Sequence, residues 1–166
     1  MVVIGIDPGT ALTGYGVIEE NEDGSIQLID YGVIRTGSAE KPEIRLVSLF
    51  SRLKKIINLH QPDSGAVESL FFQKNVKTAI SVGQARGVAL LALAENGIPV
   101  QEYTPLEVKQ AVTGYGRADK LQVQQMVQVI LEMRELPEPD DAADALAVAI
   151  CHTHCRWHLD DKKVPQ

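Results

Sequence analysis

The chain reads as a single α/β domain built on a five-stranded mixed sheet flanked by helices. Three observations predict it. Hydrophobic patterns follow the order three strands, helix, strand, helix, strand, helices. The early strand-like runs are joined by short polar or glycine-bearing turns, for which an antiparallel meander is the simplest arrangement. The later runs are separated by helical segments long enough to serve as crossovers.

Residues 2–7 form a short apolar run that reads as a strand buried on both faces. Pro8 biases Asp7 towards extended backbone, and Gly9 permits a tight turn. Residues 13–19 and 26–36 read as the next two strands, joined by the polar loop 20–25. A helix is expected over 43–60, where Leu46, Val47, Phe50, Leu53, Ile56 and Ile57 recur at helical spacing and Pro62 lies just beyond. A short strand then runs to Glu68. A long helix over 76–96 ends at Gly97; its Gly83, Ala85, Gly87 and Ala89 allow close approach of another backbone, either the sheet or a dimer partner. Residues 98–103 form the fifth strand and 105–112 a short helix, with a glycine-rich loop at 113–116. Asp119 caps a helix to about Leu131, with Gln122 in the reciprocal position of a capping box. After Pro137 and Pro139, an apolar helix starts near Asp141 and runs towards Trp157. Residues 1–158 are thus one domain, and 159–166 a polar tail.

Composition narrows the function classes. At 166 residues and 45% hydrophobic content, one core is the expectation. There is neither an apolar run of membrane-spanning length nor a secretory signal pattern. Two cysteines, Cys151 and Cys155, are too few for a disulfide framework, so a reducing, cytoplasmic home is expected. The formal net charge of -6 argues against a generic basic DNA-coating protein but leaves room for a local basic face.

Four carboxylates carry the chemistry. Asp7 and Glu68 each end an apolar run, and Asp141 and Asp144 precede the apolar stretch 145–150. If the first and fourth strands are parallel neighbours, Asp7 and Glu68 emerge side by side. Asp141 and Asp144, three apart, share one face of a helix's first turn, where the helix dipole favours negative charge. Singly, such acids are more often solvated turn or helix-start residues, and spacing does not choose between Asp140 and Asp141. Converging, they are hard oxygen donors suited to divalent ions and to phosphodiester hydrolysis, with two Mg²⁺ as the natural occupants. Added divalent ions should then stabilise a cluster that otherwise repels itself.

The stretch Ile4-Gly5-Ile6-Asp7-Pro8-Gly9-Thr10, the Glu68 segment, Gly83-Gln84-Ala85-Arg86-Gly87, Val108-Lys109-Gln110 and Asp141-Ala142-Ala143-Asp144-Ala145-Leu146-Ala147, in this order, resemble the RuvC family of bacterial Holliday junction endonucleases. The resemblance spans roughly residues 2–158 and implies a ribonuclease-H-like fold and a homodimer. It also implies metal-dependent paired nicking of symmetric strands of a four-way junction, leaving ligatable 5′-phosphate ends, in recombination and repair. Further implied are Mg²⁺ as cofactor, with Mn²⁺ as a substitute, and a branch-migration helicase complex as partner. By position, Asp7, Glu68, Asp141 and Asp144 match the family's catalytic, metal-holding acids, which favours Asp141 over Asp140. Lys109 and Lys120 match lysines near the scissile strand, and Phe71 matches an aromatic that stacks on a base; singly, each also fits a solvated lysine or a core aromatic. Ser69 departs from the common Glu-Gln pair. Lys74, Lys77, Arg86 and Arg117 are candidates for a local DNA-binding face.

Two other readings compete, and one motif suggests zinc. A sugar-kinase or actin-like ATPase shares the early Asp-x-Gly-Thr turn but needs two domains. A non-enzymatic junction-binding module would leave the acids merely solvated. Cys151, His154, Cys155 and His158 share a helical face, yet one straight helix aims only about two such side chains at a single zinc ion.

Overall fold

The computed structural model describes residues 1–69 and 76–160, with side chains described for 1–69 and 78–155. Strands β1 (Val2–Asp7), β2 (Leu12–Glu20) and β3 (Ile26–Arg35) are followed by α1 (Pro42–His60), β4 (Ser64–Glu68), α2 (Val76–Glu95) and β5 (Val100–Tyr103). Helices α3 (Pro105–Thr113), α4 (Lys120–Ile130) and α5 (Asp140–Asp160) complete the chain. The sheet order is β3-β2-β1-β4-β5. The β1–β2 and β2–β3 pairs are antiparallel, whereas β1–β4 and β4–β5 are parallel, as the turns and crossovers predict.

Side chains alternate across β1, so each strand residue commits to one of two cores. Ile4 and Ile6 pack with Leu49, Leu53 and Ile57 of α1 and Ala85, Ala89 and Leu93 of α2. Val3 faces the other way, into a core with Val108 of α3, Val123 of α4 and Leu146 and Ile150 of α5. Helix α5 is buried without a break from Ala145 to Cys151, which is why its sequence is apolar all round rather than striped. It approaches the sheet at glycines: a Cβ on Gly5 would stand 2.2 Å from the Ala145 carbonyl oxygen, and one on Gly14 would stand 1.8 Å from that of Asp141.

Element ends follow the anticipated chemistry with a few differences. Asp119 and Gln122 form the reciprocal capping box of α4, and Thr104 with Glu107 forms another on α3. β5 begins at Val100 rather than at Ile98, because the Ile98 amide donates to the Leu93 carbonyl to close α2, and Pro99 has no N–H for the ladder. α5 begins at Asp140. In α2, Ala85 and Ala89 are fully buried in the α1-side core, so these small residues serve packing against the sheet. Gly87 faces outward, with open space where a Cβ would lie.

Candidate metal centre

The register delivers the first two acids. Ile6 pairs with Val67 across the parallel β1–β4 ladder, so Asp7 and Glu68 stand next along their strands. Alternation then sets their direction. Asp7 lies two residues after Gly5, and Glu68 two after Ala66; both of these reference residues face α5. The turn after Asp7 is pinned by buried Thr13, whose hydroxyl donates to the Gly9 carbonyl (2.5 Å) and accepts from the Gly9 amide (3.3 Å). The β4 end is held by the Ser69 amide donating to the Tyr103 carbonyl (2.8 Å). Asp141 and Asp144 arrive from the first turns of α5, whose distance from β2 is set by Gly14 against the Asp141 backbone.

Charge coupling runs among these acids. Burial, then the charges of Glu68, Asp144 and Asp141, push the Asp7 carboxyl up to about 8, while Lys120 pulls it the other way. Glu68 is pushed up to about 7 by burial and by Asp144, against Lys109 and Lys120. Asp144 is raised by burial, with Asp141 and Asp140 adding to the rise and Lys120 opposing it. Like charges raise one another only where they are near and weakly screened, so the four acids share one electrostatic neighbourhood.

Lys120 is the internal cation of this site. Its Nζ lies 3.1 Å from an Asp140 carboxylate oxygen and 3.3 Å from one of Asp144. Burial lowers its proton affinity, but these two acids outweigh that and the net direction is upward. With Asp144 drawn to Lys120, no three acid, His or Cys side chains among the described residues stand close enough to enclose one ion. The donor set nevertheless fits a hard divalent cation: several carboxylates, half-buried and mutually repelling, with one held by an exchangeable ammonium. Asp7, Glu68 and Asp144, with Asp141 beside them, are the residues that could hold it. Asp140 is exposed and engaged with Lys120 and the Gln124 side-chain amide (2.9 Å), and its charge does not figure among those that shift Asp7. The geometry thus favours Asp141 over Asp140.

Lys109, Lys120, Glu68 and Asp144 line one cleft of about 190 Å³, floored by Val108, Val123 and Ala147. Arg117 is exposed on the α3–α4 connection. Arg86 is not on this face: its guanidinium ion-pairs with Glu102 on β5, which ties it into the fold. Its Nε is buried and unpartnered among the described residues. Phe71 and Lys74 lie outside the described residues, as does the side chain of Lys77. On the zinc motif, Cys151 and Cys155 are free, with sulfurs 3.8 Å apart, while His154 turns to the Ala111 carbonyl (3.1 Å). The His158 side chain is outside the described residues. Sequence reasoning missed buried His152, which bridges Ser64 (2.7 Å) and Tyr103 (2.9 Å) and joins α5 to β4 and β5; a His within an apolar helix was the available signal.

The chain is similar to known proteins in both sequence and fold. The family model described as "Crossover junction endodeoxyribonuclease RuvC" matches residues 3–152. The RuvC of Caldicellulosiruptor saccharolyticus is 57% identical over 152 residues, covering 92% of both chains. That of Moorella thermoacetica is 54% identical over 165 residues, covering 99% of this chain and 98% of its own. Among solved structures, Thermus thermophilus RuvC superposes with a TM-score of 0.88 at 38% identity, covering 95% of this chain and 96% of that one. The same protein in complex with a Holliday junction substrate gives 0.90 at 37%, with the same coverage. The expectation of a ribonuclease-H-like fold is met.

Proposed function

The chain belongs to the RuvC family of crossover junction endodeoxyribonucleases, and from that premise we propose how its residues resolve a four-way DNA junction. The single observation that carries the proposal is the mutual charge coupling of Asp7, Glu68 and Asp144 at the end of a parallel strand pair, beside a cleft lined by two lysines. Asp7, Glu68, Asp141 and Asp144 would hold Mg²⁺, two ions per subunit, with Mn²⁺ as a substitute. Such ions would supply activation of water for attack on phosphorus and charge neutralisation at the leaving 3′-oxygen, the cut leaving a 5′-phosphate. Lys109 and Lys120 hold the scissile phosphate as point charges in the cleft and orient it for in-line displacement. Lys120, which pairs with Asp144 here, would be free to turn to phosphate once a cation took that carboxylate.

A homodimer gives the two sites that paired nicking of symmetric strands requires, since a two-fold assembly matches the junction's own approximate symmetry. The outer face of α2 around Gly87 and the 58%-exposed Leu91 is the surface we assign to the second copy. Phe71 stacks on a base near the junction centre, and Lys74, Lys77 and Arg117 contact backbone phosphate. The role proposed from sequence for Arg86 is reduced by its pairing with Glu102. No helix among the described residues is long and apolar enough to cross a membrane, and work on chromosomal DNA places the enzyme in the cytoplasm beside a branch-migration helicase. The test is nicking of a labelled four-way junction with Mg²⁺ against chelator. Wild type cuts symmetric strands only with metal, and Glu68→Gln binds without cutting. Cutting in chelator, or full activity of Glu68→Gln, would overturn the assignment.

A further inference from the structure

We propose that a second cavity, on the α1–α2 side of the Asp7 turn, is a subsite for a backbone phosphate of the junction strand, with Arg45 as its charged contact. The inference rests on the nuclease reading and adds to it a residue and a surface outside the carboxylate cluster. The cavity measures about 260 Å³ and is lined by Thr10, Pro42, Arg45, Ile80, Ser81 and Gln84. Thr10 sits three residues after Asp7, in the turn that leaves the metal centre.

Arg45 is held in place by one of its nitrogens and leaves the others for a ligand. Its Nε donates to the Thr36 hydroxyl (2.9 Å), and that hydroxyl donates in turn to the Thr10 carbonyl. The relay ties the guanidinium to the loop that carries Thr10. Among the described residues, the two terminal nitrogens of Arg45 have no hydrogen bond or ion pair. A half-buried guanidinium without a counter-charge is uncommon, because losing water without a partner is costly.

The neighbouring groups complete an anion site. The hydroxyls of Thr10 and Ser81 lie 2.6 Å apart. Two hydroxyls bring two protons, and their mutual bond uses one, so the other can donate to a ligand oxygen. Gln84 adds a carboxamide, and no carboxylate lines the cavity. That lining rejects a metal ion and suits a singly charged phosphodiester, while Pro42 and Ile80 offer an aliphatic wall for the deoxyribose. Among the described residues no aromatic lines the cavity to stack a base, so the contact reads backbone rather than sequence. The protein thus has two cation-lined cavities, one holding Lys109 and Lys120 with Glu68 and Asp144, the other holding Arg45 beside Thr10 in the turn that follows Asp7.

The experiment uses the full chain and a four-way junction carrying one uncharged methylphosphonate at successive positions flanking the cut. Binding is read by fluorescence anisotropy in chelator, and cutting separately with Mg²⁺. Arg45→Gln is expected to bind the all-phosphate junction about tenfold more weakly, and the slope of log affinity against log salt should fall by roughly 1. Arg45→Lys should restore part of the affinity. One methylphosphonate position should weaken wild type by the same factor and leave Arg45→Gln unaffected. Should Arg45→Gln melt early, Ser81→Ala supplies the same comparison, with a smaller loss at the same position. Unchanged affinity and salt slope, or no position whose effect vanishes in the variants, would overturn the subsite. Stabilisation of wild type by inorganic phosphate without any methylphosphonate effect would reassign the cavity to a free anion and overturn it equally. If wild type does not cut with Mg²⁺, the nuclease reading fails on its own, since binding is still measured.

Discussion

Replacing Asp7 by Asn should make the metal-free protein more stable while ending its cutting. The Asp7 carboxyl is pushed from its ordinary 3.8 up to about 8 by burial and then by the charges of Glu68, Asp144 and Asp141. In the unfolded chain it ionises near the ordinary value. Between those two values the folded protein carries a proton that the unfolded chain has released, so rising pH favours unfolding. The penalty is absent below the lower value and fully developed above the upper one. Near pH 7 the gap is roughly three pH units, worth about 4 kcal/mol at ~1.4 kcal/mol per unit. Water entry into an open cleft trims this to about 2–4 kcal/mol. Asn keeps the shape and removes the charge, so in excess chelator its melting temperature should exceed that of wild type by about 5–15 °C, at 2–4 °C per kcal/mol for a domain of this size. Mg²⁺ should then raise the melting temperature of wild type and leave Asp7→Asn nearly unmoved. The assay is scanning calorimetry across neutral pH with and without Mg²⁺, with circular dichroism to confirm the fold. A correctly folded Asp7→Asn that melts at or below wild type in chelator would refute the claim that Asp7 is electrostatically frustrated.

Three further outcomes can be checked with the same reagents. Because Asp7 and Glu68 take up protons at about 8 and about 7, protons compete with the cation, so the Mg²⁺ concentration for half-maximal cutting should rise steadily as pH falls through this window; a pH-independent requirement would detach these acids from metal binding. Lys120→Ala should slow cutting by about 10²–10³-fold, through loss of a donor at the developing charge, while junction binding falls much less; a rate within a few-fold of wild type would leave Lys120 only its pairing with Asp140 and Asp144. Gly14→Ala places a methyl 1.8 Å from the Asp141 carbonyl oxygen, so α5 must shift at a cost of about 1–3 kcal/mol or more, and cutting should fall even in the folded fraction; unchanged melting and activity would show that the α5–β2 contact does not set the acids.

Much of the site was legible because its signals are local. Asp7 and Glu68 each end a buried run, and period-two alternation from Gly5 and Ala66 predicts the face they share. Asp141 and Asp144 announce a helix start by their spacing. What escaped were pairings between distant elements. Nothing in the sequence says that Arg86 is taken by Glu102, that Lys120 bridges Asp140 and Asp144, or that Arg45 is tied to Thr36. Long charged side chains choose partners by tertiary geometry, and periodicity carries no record of that choice. The small residues of α2 were ambiguous for a related reason: both a sheet and a partner helix reward them, and only burial separates Ala85 and Ala89 from Gly87.

The net charge of -6 poses the question of how such a chain holds a polyanion, and the placement of charge answers it. Four of the acids share one electrostatic neighbourhood, where two bound divalent ions would neutralise their charge, so the whole-chain sum misstates the field a DNA strand meets there. The nearby cations are Lys109 and Lys120, in the cleft with Glu68 and Asp144, and Arg45, in a separate cavity with Thr10. The glycines that let α5 approach the sheet also crowd the acids, so tight packing and electrostatic repulsion are two results of one contact. Stability comes from elsewhere, from the two apolar cores on either face of the sheet, one of which holds α5 buried without a break from Ala145 to Cys151. A protein built this way is most strained when metal-free and above about pH 8, where both Asp7 and Glu68 are ionised, and the cation that relieves the strain is the one its chemistry needs.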